Sequence, residues 1–245
     1  MVEAQALSIS GKMRALTETS CEDVVLTIEA DSFCFYGLAD GQSGKKYCTE
    51  GANASLNAAA AYIKELGIAQ IHRVKYFDEI QFGLIKVIRS ELESLTCEYK
   101  TDIFEFGSTL MAFAVDPGDG KYVLIHLGDG RVVGIRNTGE LKNISPPENG
   151  LCLNQTWLTT SPHAASHTRV YVGNINNYQR IILMSDGADG IFQRELYGIT
   201  GRVGIFTEEY CCDMLERIAT QQAVDDSSYI IINNCTSPFN PKYKT

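Results

Sequence analysis

Basic charge is scarce in this 245-residue chain: 21 Lys and Arg stand against 30 Asp and Glu, a formal net charge of −9. No window is dense in Lys or Arg, and a surface that neutralises a nucleic-acid backbone needs such a patch. No nucleic acid is therefore expected as a partner. Long apolar runs are missing too. The longest are strand-length, short of the roughly 20 residues a membrane-crossing helix requires, so no membrane association is expected. The opening "MVEAQALSISGKMR" has no basic start followed by an apolar stretch, which argues against a secretory leader and for a cytoplasmic protein. Eight cysteines are present, yet no C-x-x-C spacing occurs and Cys211 and Cys212 are adjacent. Reduced thiols acting as small core hydrophobes are the expectation, rather than a disulfide framework. There is no G-x-S-x-G nucleophile motif and no G-x-x-x-x-G-K-[ST] loop, which argues against a serine hydrolase and a nucleotide motor.

What the chain does have is ordinary globular composition, 44% hydrophobic and 21% charged, enough for a sizeable core. No repeat, disordered tract or convincing linker divides it, so a single domain over residues 1–245 is expected. "VVLTIEA" (24–30) and "FCFYGLA" (33–39) are β-rich runs joined by Asp31-Ser32, the pattern of a hairpin. The Ala-rich stretch from Thr49 to Leu66 predicts a helix capped by Gly67. Ile80, Leu84, Val87, Ile88, Leu92 and Leu95 make one stripe, so a second helix follows. Strands "STLMAFAVD", "KYVLIHLG" and "RVVGIRN" come next, parted by Gly-rich turns. "ISPPENG" reads as a loop, "LCLNQTWLTT" and "QRIILMS" as strands, "EEYCCDMLERIATQQ" as a helix and "SSYIIINN" as a last strand. This α+β order, with hairpin-type connections, favours antiparallel sheets.

The acids fall at strand ends. Asp40 closes "FCFYGLA", Asp186 closes "IILMS", Asp225 and Asp226 open "SSYIIIN", and Glu22 and Asp23 open "VVLTIEA". Taken singly, an Asp-Gly pair such as Asp40-Gly41 is an ordinary turn. Taken together, carboxylates converging on one sheet edge would repel unless cations joined them. Mg²⁺ or Mn²⁺, hard ions that prefer oxygen ligands, match such a set. Gly41, lacking a Cβ, would let its own carbonyl approach an ion bound by the preceding side chain.

Several stretches carry a resemblance, in order along most of the chain. "SCEDVVLTIE", "FYGLADGQSG", "FGSTLMAFAV", "LIHLGDGRVVGI", "IILMSDGADGIF" and "DDSSYIII" resemble the successive motifs of the protein phosphatase 2C family of metal-dependent serine/threonine phosphatases. The resemblance is closer to the family's divergent bacterial branch. It implies a four-layer α-β-β-α sandwich, two antiparallel sheets flanked by helices. It implies that Asp40 bridges two Mn²⁺ or Mg²⁺ ions, that the Gly41 carbonyl binds one, and that Asp186 and Asp225 complete the second ion's shell. Glu22 and Asp23 would lie at or just behind that site, and Asp129 would help hold a third, weaker ion. A water activated by the two ions would attack phosphorus in line. The implied partner is a phosphoprotein, a serine/threonine kinase or its target.

The departures are specific. Many members carry His after the Asp-Gly as a candidate general acid; here Gln42 stands there and has no titrating proton to give. Many place a phosphate-binding Arg five residues before the opening Asp, whereas Arg14 is nine before Asp23. Arg14 and Gln42 are nevertheless the candidate substrate-binding residues. Asp189 follows Asp186 at three positions rather than four, and Asp226 replaces the usual Asn. These changes motivate a rival expectation, a pseudophosphatase that keeps the fold to bind phosphoproteins. Outside the motifs, His163 and His167 at i, i+4 could share a helix face on a metal, but no third ligand is evident and ordinary histidines are expected. Trp157 is expected in the core or on a sheet face, and His126 as a hydrogen-bonded core residue.

Overall fold

The computed structural model describes residues 2–11, 21–150, 155–200 and 225–235, with 194–200 described by backbone alone. The helix expected over 208–222 lies outside the described residues. In chain order the elements are β1 (Val2–Ile9), β2 (Asp23–Ala30), β3 (Phe33–Asp40), α1 (Cys48–Leu66), α2 (Ile68–Ile71) and α3 (Asp78–Tyr99). There follow β4 (Leu110–Val115), β5 (Lys121–Leu127), β6 (Arg131–Arg136), β7 (Leu141–Ser145) and α4 (Ala164–His167). Strand β8 (Arg169–Asn174), β9 (Tyr178–Met184), helix α5 (Asp186–Thr200) and β10 (Ser227–Asn234) complete the series. Two antiparallel five-stranded sheets result, ordered β2-β3-β4-β5-β8 and β1-β10-β9-β6-β7, so the expected α+β class with two antiparallel sheets and helices is present.

The chain divides into two compact units, one from Glu22–Asp129 with Pro147–Asn174, the other from Met1–Cys21, Gly130–Pro146 and Ile175–Thr245. In the first, β3, β4 and β5 are buried along nearly their whole length, so their apolar runs show no alternation. The edge strand β2 is buried only at Asp23 and Val24. Helices α1 and α3 cover this sheet, with Leu56, Ile63, Leu84, Ile88 and Leu92 fully buried. The Ala-rich run makes this close packing feasible, because Ala58, Ala59 and Ala60 present almost no bulk. Helix α1 stops at Gly67, whose φ of 77° suits glycine and whose N–H closes on the Ile63 carbonyl at 2.9 Å.

In the second unit, Val133, Ile135, Ile182, Met184, Tyr229 and Ile231 from the sheet pack with Ala188, Ile191 and Phe192 of α5. Two sequence expectations are corrected in this structure. The strand expected over 151–160 contributes, in its described part, only an isolated bridge between Asn149 and Thr156 before a turn. Ile144 and Ser145, read as the start of a loop, instead end β7 against β6. The two prolines that follow made the segment look irregular, but they begin only after the strand is complete.

Candidate metal centre

In the first unit, β2 and β3 pair so that Asp23 stands directly opposite Asp40. Asp23 is buried and Asp40 half-buried. The backbone around Asp40 is held from both sides: its N–H donates to Thr109 Oγ1 at 2.8 Å, and the Thr109 N–H donates to the Asp40 carbonyl at 2.8 Å. Next along the chain, the Gly41 N–H donates to the Glu22 carbonyl at 3.2 Å. A Cβ at Gly41 would lie 2.9 Å from that carbonyl and 3.0 Å from Cys48 Cβ, so the strand end can pass there only as glycine. Glu22, Asp23, Asp40 and Gly41 are thereby gathered at one strand end. Gln42 follows, its N–H donating to the Gly107 carbonyl at 2.8 Å and its side-chain Oε1 lying over the bare face of Gly107.

Asp129 stands in the turn after β5, where Gly128 takes a φ of 116°. Its Oδ2 accepts a short hydrogen bond from the Thr156 hydroxyl. Gly128 packs against the Thr109 side chain, with its Cβ position 2.7 Å from the Thr109 methyl. Thr109 therefore fixes Asp40 on one side and backs the Asp129 turn on the other. Sequence reading matched its motif without giving it a role; the signal was a threonine followed by an unbroken buried strand.

In the second unit, Ser185 continues the β9–β10 ladder past Met184. Its N–H donates to the Ser228 carbonyl at 2.9 Å and its Oγ accepts the Ser228 N–H at 3.0 Å. Helix α5 then starts at Asp186. A Cβ at Gly187 would sit 2.1 Å from the Asp226 carbonyl oxygen, so the first turn of α5 presses directly on the Asp225–Asp226 segment. Asp186 and Asp225 are brought by this contact to the same end of the sheet, and both are exposed. Asp226, where the resemblance has Asn, is 4% exposed and its Oδ1 accepts the Gly11 N–H at 2.8 Å. It works as a structural acceptor beyond β1. Asp189 is likewise committed: its Oδ1 lies 2.6 Å from Arg131 Nε and 3.3 Å from Gln193 Nε2. Arg14 lies outside the described residues.

Every candidate donor in both groups is oxygen, which suits hard divalent ions rather than zinc or copper. Among the described residues, no three His, Cys, Asp or Glu side chains stand in an arrangement that could hold an ion. The match is thus in donor chemistry and in the pairing of Asp23 with Asp40.

The sequence profile of the protein phosphatase 2C family matches residues 10–226. No curated protein matches the chain. Among solved structures, the serine/threonine phosphatase of S. agalactiae is similar at 14% identity and a TM-score of 0.66, over 95% of this chain and 99% of that one. Stp1, a serine/threonine phosphatase from Staphylococcus aureus, is similar at 14% identity and a TM-score of 0.63, over 96% and 95%. RsbX, solved in complex with magnesium, is similar at 13% identity and a TM-score of 0.54, over 95% and 94%. At these identities what is shared is the fold.

Proposed function

Because the chain belongs to the protein phosphatase 2C family, we propose that it hydrolyses phosphoserine and phosphothreonine on proteins with two Mn²⁺ or Mg²⁺ ions, a third being held more weakly. The observation that carries this reading is the family match across residues 10–226. The described acids support it: Asp40 ends β3 opposite Asp23, Asp129 follows β5, Asp186 opens α5 after β9, and Asp225 precedes β10. Asp40, the Gly41 carbonyl, Asp186 and Asp225 are the proposed ion ligands, with Glu22 and Asp23 at or behind them and Asp129 serving the weaker ion. When bound, such ions offset the charge of the phosphoryl oxygens and bring the pKa of water toward neutrality.

The chain's own residues do the rest. Thr109 holds the Asp40 backbone on both its N–H and its carbonyl and so fixes the strand end that carries the carboxylate. The Ser185–Ser228 ladder and the contact at Gly187 do the same for Asp186 and Asp225. Gln42 can orient a phosphoryl or leaving oxygen through its amide N–H but supplies no proton, so the leaving alkoxide takes its proton from water. The expected substrate is a phosphoprotein, a serine/threonine kinase or its target, in the cytosol. No helix among the described residues is long and apolar enough to cross a membrane.

The test is manganese-dependent hydrolysis of p-nitrophenyl phosphate and of a phosphothreonine peptide. Turnover by the wild type and its loss in both Asp40→Asn and Asp186→Asn is the expected result. Activity persisting in both variants refutes the ligand assignment. Gln42 also motivates a second reading, a phosphoprotein-binding module, and manganese binding without any turnover would favour it.

A further inference from the structure

Three side chains to which the sequence assigns no chemistry, His126, Trp157 and His167, belong to one cluster built around Glu148 and Arg169. The Trp157 and His167 rings are stacked, their centroids 3.7 Å apart and their planes 9° from parallel. His167 Nδ1 meets Glu148 Oε1 at 2.7 Å, and Glu148 Oε2 pairs with Arg169 Nε at 3.1 Å. Arg169 Nη2 reaches His126 Nδ1 at 3.1 Å and donates to the Gly128 carbonyl at 3.2 Å. The Glu148 backbone N–H donates to that same carbonyl at 3.0 Å. His126 is fully buried, and burial together with the Arg169 charge holds its pKa well below the usual imidazole range. It is therefore neutral and can accept from Arg169 at Nδ1.

A network that only stabilised the fold could end on any backbone group. This one ends twice on the carbonyl that immediately precedes Asp129, at a glycine with a φ of 116°. The orientation of the 128–129 peptide decides where the Asp129 side chain points. On the other side, Asp129 is met by Thr156, the neighbour of Trp157. Segments at 148, 156–157 and 167–169 thus all close on one turn. Ligating carboxylates depend on such outer partners, whose loss typically weakens ion affinity about 10–100-fold.

We propose that Glu148 and Arg169 are positioning residues for Asp129. Through the Gly128 carbonyl they set the peptide plane from which Asp129 presents its carboxylate to the weaker ion, and the stacked Trp157–His167 pair holds Glu148 in register. The inference rests on the reading of Asp129 as a ligand of that ion.

Equilibrium Mn²⁺ binding, read from the resonance signal of the free ion, tests it directly. In the wild type two ions bind tightly and a third weakly; Asp129→Asn removes the weak one. Arg169→Ala is expected to weaken that third site about 10-fold and leave the two tight sites unmoved, which a merely structural role would not do. Arg169→Lys, keeping the charge but not the fork, recovers part of the loss. Asp129→Asn/Arg169→Ala binds as Asp129→Asn alone. Glu148→Gln, close in shape to the native side chain, carries the same test where Arg169→Ala fails to fold, with a shift of about 3-fold or more expected. A weak site lost in Asp129→Asn but unmoved in Glu148→Gln and in a folded Arg169→Ala overturns the proposal alone. A weak site unmoved in Asp129→Asn overturns the ligand reading and the proposal together.

Discussion

The same substitution at two glycines of α5, three residues apart, should change stability in opposite directions. Gly187→Ala places a Cβ 2.1 Å from the Asp226 carbonyl oxygen and 2.9 Å from Ser227 Oγ. The first obstacle is backbone, so relief requires the helix start and the Asp225–Asp226 segment to separate. Overpacking of this kind costs about 1–3 kcal/mol. Gly190→Ala meets nothing within 4 Å. Replacing a glycine within a helix by alanine stabilises by about 0.5–1 kcal/mol, mostly by restricting the unfolded chain. The two variants should therefore differ by about 1.5–4 kcal/mol, and each kcal/mol is worth about 2–4 °C in a chain of this size. Thermal and urea denaturation monitored by circular dichroism measure both. Gly187→Ala should also reduce phosphatase activity while Gly190→Ala leaves it unchanged, because only the former displaces Asp186 from Asp225. A Gly187→Ala protein as stable and active as wild type would refute the claim that this contact builds the sheet end.

Two further outcomes are expected. Asp189→Asn leaves Arg131, whose side chain is only 17% exposed, facing an amide in place of a carboxylate. Breaking a largely buried pair from one side costs about 3 kcal/mol, and Arg131→Met/Asp189→Leu should recover much of it; urea midpoints equal to wild type for Asp189→Asn would contradict the pairing. For His126, the folded pKa is depressed, so the unfolded imidazole takes a proton that the buried one refuses. Stability is then undiminished above about pH 6.5 and falls below it by up to about 1.4 kcal/mol per pH unit. His126→Gln should flatten the slope of unfolding free energy between pH 6.5 and 5 relative to wild type, and parallel slopes would show that His126 titrates normally in the fold.

Much of this is legible in the order of the amino acids alone. The β2–β3 hairpin, α1 with its Gly67 cap, the α3 stripe and the start of β10 follow from local period and turn chemistry, which act within a few residues. The order of the acidic strand ends was legible for the same reason, since each Asp is marked by the apolar run beside it. Strands β1 and β8 were not, because both lie at sheet edges with mixed burial, and only their partners make them strands. The strand expected over 151–160 misled in the opposite way: in its described part Thr156 makes only an isolated bridge to Asn149, and Trp157 packs against the core of the first unit rather than extending a ladder.

What the sequence determined by itself is therefore most of the elements and the family, and it nominated the candidate ligands. All of these depend on short-range patterns. What only the tertiary structure decided is how each carboxylate is used. Asp226 and Asp189 look like further members of the acidic set in the sequence, yet one holds the Gly11 N–H and the other Arg131. Thr109, Glu148 and Arg169 bear on Asp40 and Asp129 across separations of 19 to 69 residues. Contacts of that range are set by strand register and loop closure, and no local pattern encodes them.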